Sequence, residues 1–271
     1  MFELYDTCPN IERGDTVSYT VEVCCYTVDD VRRAKQAGAT RIELCADRSA
    51  GGTTPSYGLI EHIQAASPMD VAVMIRPRGG DFVYSEDELA IMQRDIAVAG
   101  KLGAEGVVFG VLNEYSDLDV PKMQLLVDAA KAAGLAVACH RAFDRARDPY
   151  GTIKKLLSLG IDRLLTSGQK PTAMEGLPLL RELLTIAGDE LTIMAGGGVR
   201  GGNIETILAA GIRHVHTGST EVIKSGMTIR RPELSIGSST CDESVQTVIN
   251  EEDVACIVTA VKRKTTIIFP I

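Results

Sequence analysis

Eight times in succession a short run of β-branched and other apolar residues gives way to an amphipathic stretch of helical period, usually closed by a glycine. The runs are TVEVCCYT at 20–27, RIELCA at 41–46, VAVMIRP at 71–77, GVVFGVL at 106–112, AVACHRAF at 136–143, RLLTSG at 163–168, LTIMAGGG at 191–198 and HVHTGS at 214–219. Strands this apolar are buried on both faces, as in parallel sheets covered by helices. Parallel strands need crossover connections, which the intervening helical segments supply. Eight β-then-α units, each near the roughly 30 residues of such a unit, make the count of a (β/α)8 or TIM barrel. A doubly wound open sheet usually has fewer strands and a G-x-G-x-x-G turn after the first, where this chain has Tyr26-Thr27-Val28.

Local signals mark the helix ends. Asp29 and Asp30 open the first helix and Gly38 stops it. Ser85 stands three residues before Glu88, a capping-box spacing, and Gly103 closes that helix. Pro121 opens a helix that ends at Gly134, another spans about 150–159, and the next is expected over 172–187. Asn203 is expected to cap a helix ending at Gly211. A polar stretch at 220–240 reads as a loop and candidate lid, followed by a last helix from about 242 to 263. The whole reads as one domain: an irregular leader over 1–19 and a barrel over 20–271, with an apolar tail at 267–271.

The net charge of −8, with no basic stripe, argues against nucleic acid or an anionic membrane as partner. No apolar run reaches the ~20 residues of a membrane span, and MFELYDTCPNIERGD lacks the basic and apolar regions of a signal peptide. Seven scattered cysteines, an odd number with no C-x-x-C, read as reduced thiols of a cytoplasmic protein.

Strand alternation assigns faces. Val21, Val23 and Cys25 form the apolar set of the first strand, which leaves Glu22 and Cys24 pointing into the barrel. By the same parity Glu43 and Cys45 point inward from the second strand, Arg76 from the third, His140 from the fifth, and His214 with His216 from the eighth. Buried charges must be paired, neutralised or metallated. Glu22, Glu43, Arg76, His140 and His216 together therefore read as a candidate acid–base site near the C-terminal ends of the strands, where barrel enzymes act. Neighbouring Glu22 and Glu43 would raise one pKa unless Arg76 or a cation lay between them.

Cys24 and Cys45 sit two residues beyond the glutamates on adjacent strands and one face, a possible pair of thiolate ligands for a soft cation. Lone cysteines also serve as small buried hydrophobes, the reading given to Cys25 and Cys139; Cys8, Cys241 and Cys256 have no informative spacing. The turns at Gly197-Gly198 and Gly218-Ser219 follow strands seven and eight, where many barrels hold a phosphate on backbone N–H groups. Arg200, Arg230 and Arg231 can add anion-binding charge, and His62 reads as surface.

EVCCYTVDDVRRAKQAGATRIELCADRSAGGTTPSYG (22–58), VMIRPRGGDFVYSEDEL (73–89), HRAFD (140–144), RLLTSG (163–168) and IMAGGGV (193–199) resemble the CutC copper-homeostasis protein family over about 20–239. The resemblance implies a TIM barrel, a cytoplasmic location, a role in copper handling, self-association into a dimer or larger oligomer, and Cu(I) at the cysteines of the EVC and ELC segments, Cys24 and Cys45. This chain departs from it at Ala138-Cys139 and Gln169, away from the inward set. Two functions follow: a Cu(I)-binding homeostasis protein, or a barrel enzyme using Glu/His acid–base chemistry on a small anionic, for instance phosphorylated, metabolite. A scaffold with a vestigial pocket is the third.

Overall fold

The computed structural model describes residues 19–66, 69–229 and 244–266, with residues 265 and 266 described by backbone alone. The strands β1 (Thr20–Cys25), β2 (Arg41–Leu44), β3 (Asp70–Met74), β4 (Gly106–Phe109), β5 (Ala136–Cys139), β6 (Arg163–Thr166), β7 (Thr192–Ala195) and β8 (His214–Thr217) run parallel in sequence order, and β8 pairs with β1 to close a TIM barrel. Seven crossover helices ring it: α1 (Val28–Gln36), α2 (Tyr57–Ala66), α3 (Glu86–Lys101), α4 (Val120–Ala132), α5 (Pro149–Ser158), α6 (Leu177–Ala187) and α7 (Ile204–Ala209). The capping boxes of α1 (Thr27 with Asp30) and α3 (Ser85 with Glu88) are both made.

The apolar core lies in two shells. Val21, Val23, Cys25, Ile42, Leu44, Val137, Cys139 and Val215 pack outward against the helices. Cys24, Cys45, Ala72, Met74, Val108 and Ala138 form a separate cluster inside the barrel. Because that inner cluster is mostly small, it does not fill the lumen toward the C-terminal ends of the strands.

Two segments differ from the sequence reading. Helix α6 begins at Leu177, not near 172, with Pro178 in its first turn, where a proline's missing N–H costs nothing. The chain before it packs so tightly that a Cβ at Gly176 would collide with the Ser167 carbonyl. The stretch after β8 is not a plain loop leading to a helix at 242. Thr220–Lys224 forms β9, which pairs antiparallel with β10 (Val245–Ile249), and the last helix, α8 (Glu251–Thr266), starts only after them. TEVIK and VQTVI carry the β-branched residues that favour strands. Asn250, whose Oδ1 accepts from the Asp253 N–H at 2.9 Å, with acidic Glu251, Glu252 and Asp253 behind it, sets the start of α8. Asn203 does occupy the N-cap position of α7 but makes no cap hydrogen bond. Its side chain instead joins the Arg200 N–H (2.9 Å) to the Gly198 carbonyl (2.8 Å) and fastens the loop after β7. Apart from Tyr19, the leader lies outside the described residues, as do the tail and most of the candidate lid, with Cys8, Cys241, Arg230 and Arg231.

Asp30 locks the β9–β10 ribbon to the barrel. Fully buried at the start of α1, its Oδ2 accepts from the N–H groups of Tyr26 (2.9 Å) and Thr27 (3.2 Å) and pairs with Arg48 (2.9 Å). Its Oδ1 accepts from the Ile249 N–H at 3.0 Å, at the end of β10. Removing one member of a buried, hydrogen-bonded ion pair costs about 3–5 kcal/mol. Asp30→Ala is therefore expected to lower the unfolding free energy in urea by that order, and a loss below about 1 kcal/mol would contradict the anchoring role.

Candidate functional site

Strand register decides which inward side chains meet. Glu22 stands level with Arg41 on β2 and with His216 on β8, whereas Glu43 stands level with Cys24. The stagger of a closed barrel thus puts Glu43 one layer above Glu22, so the two carboxylates are not side by side as the sequence suggests. Glu22 Oε2 accepts from Arg41 Nε at 2.6 Å, and Glu22 Oε1 lies 2.8 Å from His216 Nδ1. His216 Nε2 is 3.8 Å from Glu43 Oε2, so the imidazole, not Arg76, bridges the two acids.

Arg76 has other partners. Its Nη1 donates to the carbonyls of Ala50 (2.7 Å) and Gly52 (2.9 Å), and its Nη2 to that of Gly80 (2.8 Å). Phe82 lies between this guanidinium, 5.1 Å from its ring centroid, and the ring of His140 at 4.8 Å. His140 Nδ1 accepts from the Ala142 N–H at 3.2 Å. Burial, with the Arg76 charge adding to it, pushes the His140 pKa down to about 3, so the ring is neutral and its proton is assigned to Nε2. The five residues therefore form two groups, Glu22–His216–Glu43 and Arg76–Phe82–His140.

A cavity of about 410 Å³ at the C-terminal ends of the strands joins these groups. Cys24, Glu43, His216, Arg76 and His140 line it, while Glu22 lies beneath, wholly buried. Gly197, Gly198 and Gly218 line it too, as do Arg48, Arg141 and Arg200. Ser219 does not: its N–H donates to Thr217 Oγ1 and its carbonyl accepts from Asn250, so it ties β8 to the start of α8. His62 is exposed on α2, and Cys256 is exposed on α8.

Cys24 Sγ lies 3.8 Å from Cys45 Sγ, and Cys45 Sγ lies 3.5 Å from Glu43 Oε2. One donor atom from each of Cys24, Cys45 and Glu43 falls within 4.8 Å of the others. Electrostatics sort their protons. The hydrogen bond shared with Cys45 and, against the cost of burial, the neighbouring His216 favour the charge on Cys24, so its pKa falls well below its usual value. Burial and the neighbouring Cys24 sulfur hold Cys45 well above its own. Burial likewise raises Glu43 far above the carboxylate range. It opposes the charge on Glu22 as well, but His216 and Arg41 outweigh it and bring Glu22 down to about 2. Burial disfavours the His216 cation, yet Glu43, Cys24 and Glu22 raise it well above 6.5. The surroundings thus favour charge on Glu22 and Cys24, beside Arg41 and His216, while burial opposes it on Cys45 and Glu43.

The pair suits a thiophilic cation. Two thiolates sharing one ion at the ~2.3 Å typical of zinc–sulfur bonds, a tetrahedral angle apart, stand ~3.8 Å from each other, the separation seen here. Two sulfurs and one carboxylate fall short of the four nitrogen and sulfur ligands of a structural zinc site, and soft thiolates suit Cu(I) as well as zinc. Sequence reasoning missed Arg41, although parity along RIELC places it on the same face as Glu43 and Cys45; it lies at the strand's N-terminal end, away from where a site is sought. Phe82 comes from a loop, and Arg48 and Arg141 each open a single short 3-10 helix (Arg48–Ala50 and Arg141–Arg145), too brief for periodicity to report direction.

The sequence profile of the CutC family matches residues 19–221. A CutC family protein of Parabacteroides distasonis is 44% identical over 235 residues, covering 86% of this chain and 96% of its own length. One from Klebsiella pneumoniae is 44% identical over 236 residues, covering 87% and 94%. Among solved structures, CutC from Streptococcus agalactiae superposes with a TM-score of 0.69 at 35% identity, over 73% of this chain and 97% of that one. A 3-hexulose-6-phosphate synthase from Salmonella typhimurium, at 14% identity and a TM-score of 0.58, shares the fold alone. Among the described residues no helix is long and apolar enough to cross a membrane.

The sorted protons give this group a spectroscopic signature. Thiolate absorbance near 240 nm in the reduced protein is expected to persist well below the ordinary thiol range and to disappear in Cys24→Ser. In His216→Gln the same absorbance should appear only at higher pH, because the cation that stabilises the thiolate is gone. A His216→Gln titration superposable on that of the parent protein would refute the assignment.

Proposed function

The chain belongs to the CutC family, and from that premise and the buried thiol pair we propose that it is a copper-homeostasis protein that takes Cu(I) as cargo between Cys24 and Cys45. The observation that carries this reading is the pair itself: two sulfurs 3.8 Å apart, one of them lining the cavity and favoured as a thiolate. His216, held by Glu22, keeps Cys24 in the form that binds metal, and Arg41 in turn holds Glu22. Met74 lines the same cavity and belongs to the same inner cluster, which makes the surroundings soft as well as dry. Glu43, 3.5 Å from Cys45, is the nearest oxygen donor of the set. Thiols must stay unlinked for this work, and the five described cysteines carry no disulfide, so we place the protein in the reducing cytoplasm.

Proton release follows from the sorted charges. Metal ligands must be deprotonated, and of the two thiols Cys45 is the one whose surroundings hold its proton while those of Cys24 favour losing it. Anaerobic titration of the reduced protein with Cu(I), in competition with a chromophoric chelator, is expected to show one tight ion per chain with release of about one proton, not two. Cys24→Ser/Cys45→Ser should weaken binding by at least a hundredfold. Unchanged affinity in that double variant would end the proposal.

A further inference from the structure

The other half of the cavity is built differently. Arg76 is only 5% exposed, yet it makes no ion pair among the described residues; its three hydrogen bonds all go to neutral backbone carbonyls. The exposed Asp47 senses its charge only from beyond ion-pair range. A guanidinium has five N–H donors, so two remain; the buried Nε–H makes no hydrogen bond, and the Tyr84 hydroxyl, itself buried without one, is a neutral polar neighbour of the guanidinium. Across Phe82, His140 Nε2 is also buried and unpartnered. A buried cation without a counter-charge and a buried donor without an acceptor are each costly, and a group supplying both would relieve them together.

The rim has the same sign. Arg200 makes no ion pair among the described residues, its Nη1 donating to the Val199 carbonyl at 2.7 Å. Arg48 and Arg141 are held by Asp30 and Asp144. Among the described residues the one carboxyl lining the cavity is Glu43, which lies on the far side, 3.8 Å from the His216 ring. No hydrogen bond engages the backbone N–H of Gly197 or Gly198 among the described residues; both have positive φ (96° and 72°), and a Cβ on Gly197 would meet Arg141 Nη1 at 3.2 Å. The volume, about 410 Å³, falls in the range of small-molecule sites, roughly 300–1,000 Å³.

We propose that this cavity binds a small organic oxyanion, a carboxylate or a phosphate ester, whose acidic group pairs with the free edge of Arg76 and whose body lies over Phe82. His140 Nε2–H donates to the same ligand, and Arg200 supplies the second charge at the mouth. Side-on pairing of a guanidinium with an oxyanion is the strong, oriented form of that contact. The proposal needs no metal and does not rest on the copper reading.

The test uses the full-length, reduced, chelator-treated protein labelled with ¹³C-histidine, whose four residues, His62, His140, His214 and His216, each give one ring Cε1–H signal. The His140 signal is assigned as the one lost in His140→Asn. Inorganic phosphate, acetate and malonate are titrated separately at constant ionic strength. At least one is expected to move the His140 signal saturably: phosphate alone points to an ester, a carboxylate alone to an organic acid, and both to oxyanions in general. Arg76→Gln should raise the apparent Kd at least tenfold. Should that variant fail to fold, Arg200→Gln must raise it severalfold. A His140 signal that none of the three probes moves would overturn the proposal, as would identical titration curves in the folded variants. Because these titrations contain no copper, their failure and failure of Cu(I) binding are read separately.

Discussion

One imidazole sets the state of the buried side chains at the centre of this barrel. His216 reaches Glu22 through Nδ1 at 2.8 Å and Glu43 through Nε2 at 3.8 Å. Glu22 also faces Arg41 at 2.6 Å, so the lower carboxylate has two cationic partners and stays charged. Glu43 has the longer contact to the same ring and the Cys45 thiol at 3.5 Å, and burial raises its pKa well above the usual carboxylate value. The imidazolium that results is one of the groups that favour the charge on Cys24. Desolvation would otherwise disfavour the charge on Glu22, Cys24 and His216. The network survives because its two anions and two cations sit within hydrogen-bonding reach of one another. It is fully connected below Glu43 and open above it.

Barrel interiors are normally packed by layers of branched side chains. Here the layer toward the N-terminal ends is closed by polar groups: Arg41 reaches Met194, His214 meets Thr20 Oγ1 at 3.0 Å, and Arg163 pairs with Glu105. Burial, with Arg41 adding to it, lowers His214 to about 4, so it stays neutral while His216, two residues on, is raised. The same residue type on the same strand face takes opposite charge states because one has carboxylates beside it and the other has arginines. Above that floor Ala72 and Ala138 contribute little volume, and the cavity opens.

Much of this was legible along the chain. The eight alternations announced the barrel, and parity separated Val21, Val23 and Cys25 from Glu22 and Cys24 because apolar and polar sets alternate cleanly. Register was not legible. Whether Glu22 meets Glu43 or Arg41 depends on the stagger between neighbouring strands, which no single strand encodes, and the barrel chooses Arg41. Arg76 lines the cavity, but its partners are carbonyls of Ala50, Gly52 and Gly80, in connections whose path follows no sequence period. The β9–β10 ribbon was hidden for a related reason. Its strands are separated by a long insertion, and the acidic start of α8 drew the helix boundary too early.

The two halves of the cavity treat buried charge in opposite ways. On the His216 side the charges cancel, and an incoming monovalent cation that displaces the Cys45 proton would leave the total unchanged. Such an exchange avoids the several kcal/mol that adding an uncompensated ion to a low-dielectric interior costs. On the Arg76 side nothing cancels: one guanidinium gives three hydrogen bonds to carbonyls, keeps its buried Nε–H unpartnered and has no ion-pair partner among the described residues. Carbonyl oxygens solvate such a cation without neutralising it, so its field extends into the cavity it lines. A cation approaching Cys24 must pass that field, and a bound oxyanion would remove it. The site is therefore asymmetric by construction, with a neutral thiol pocket reached past a positive wall.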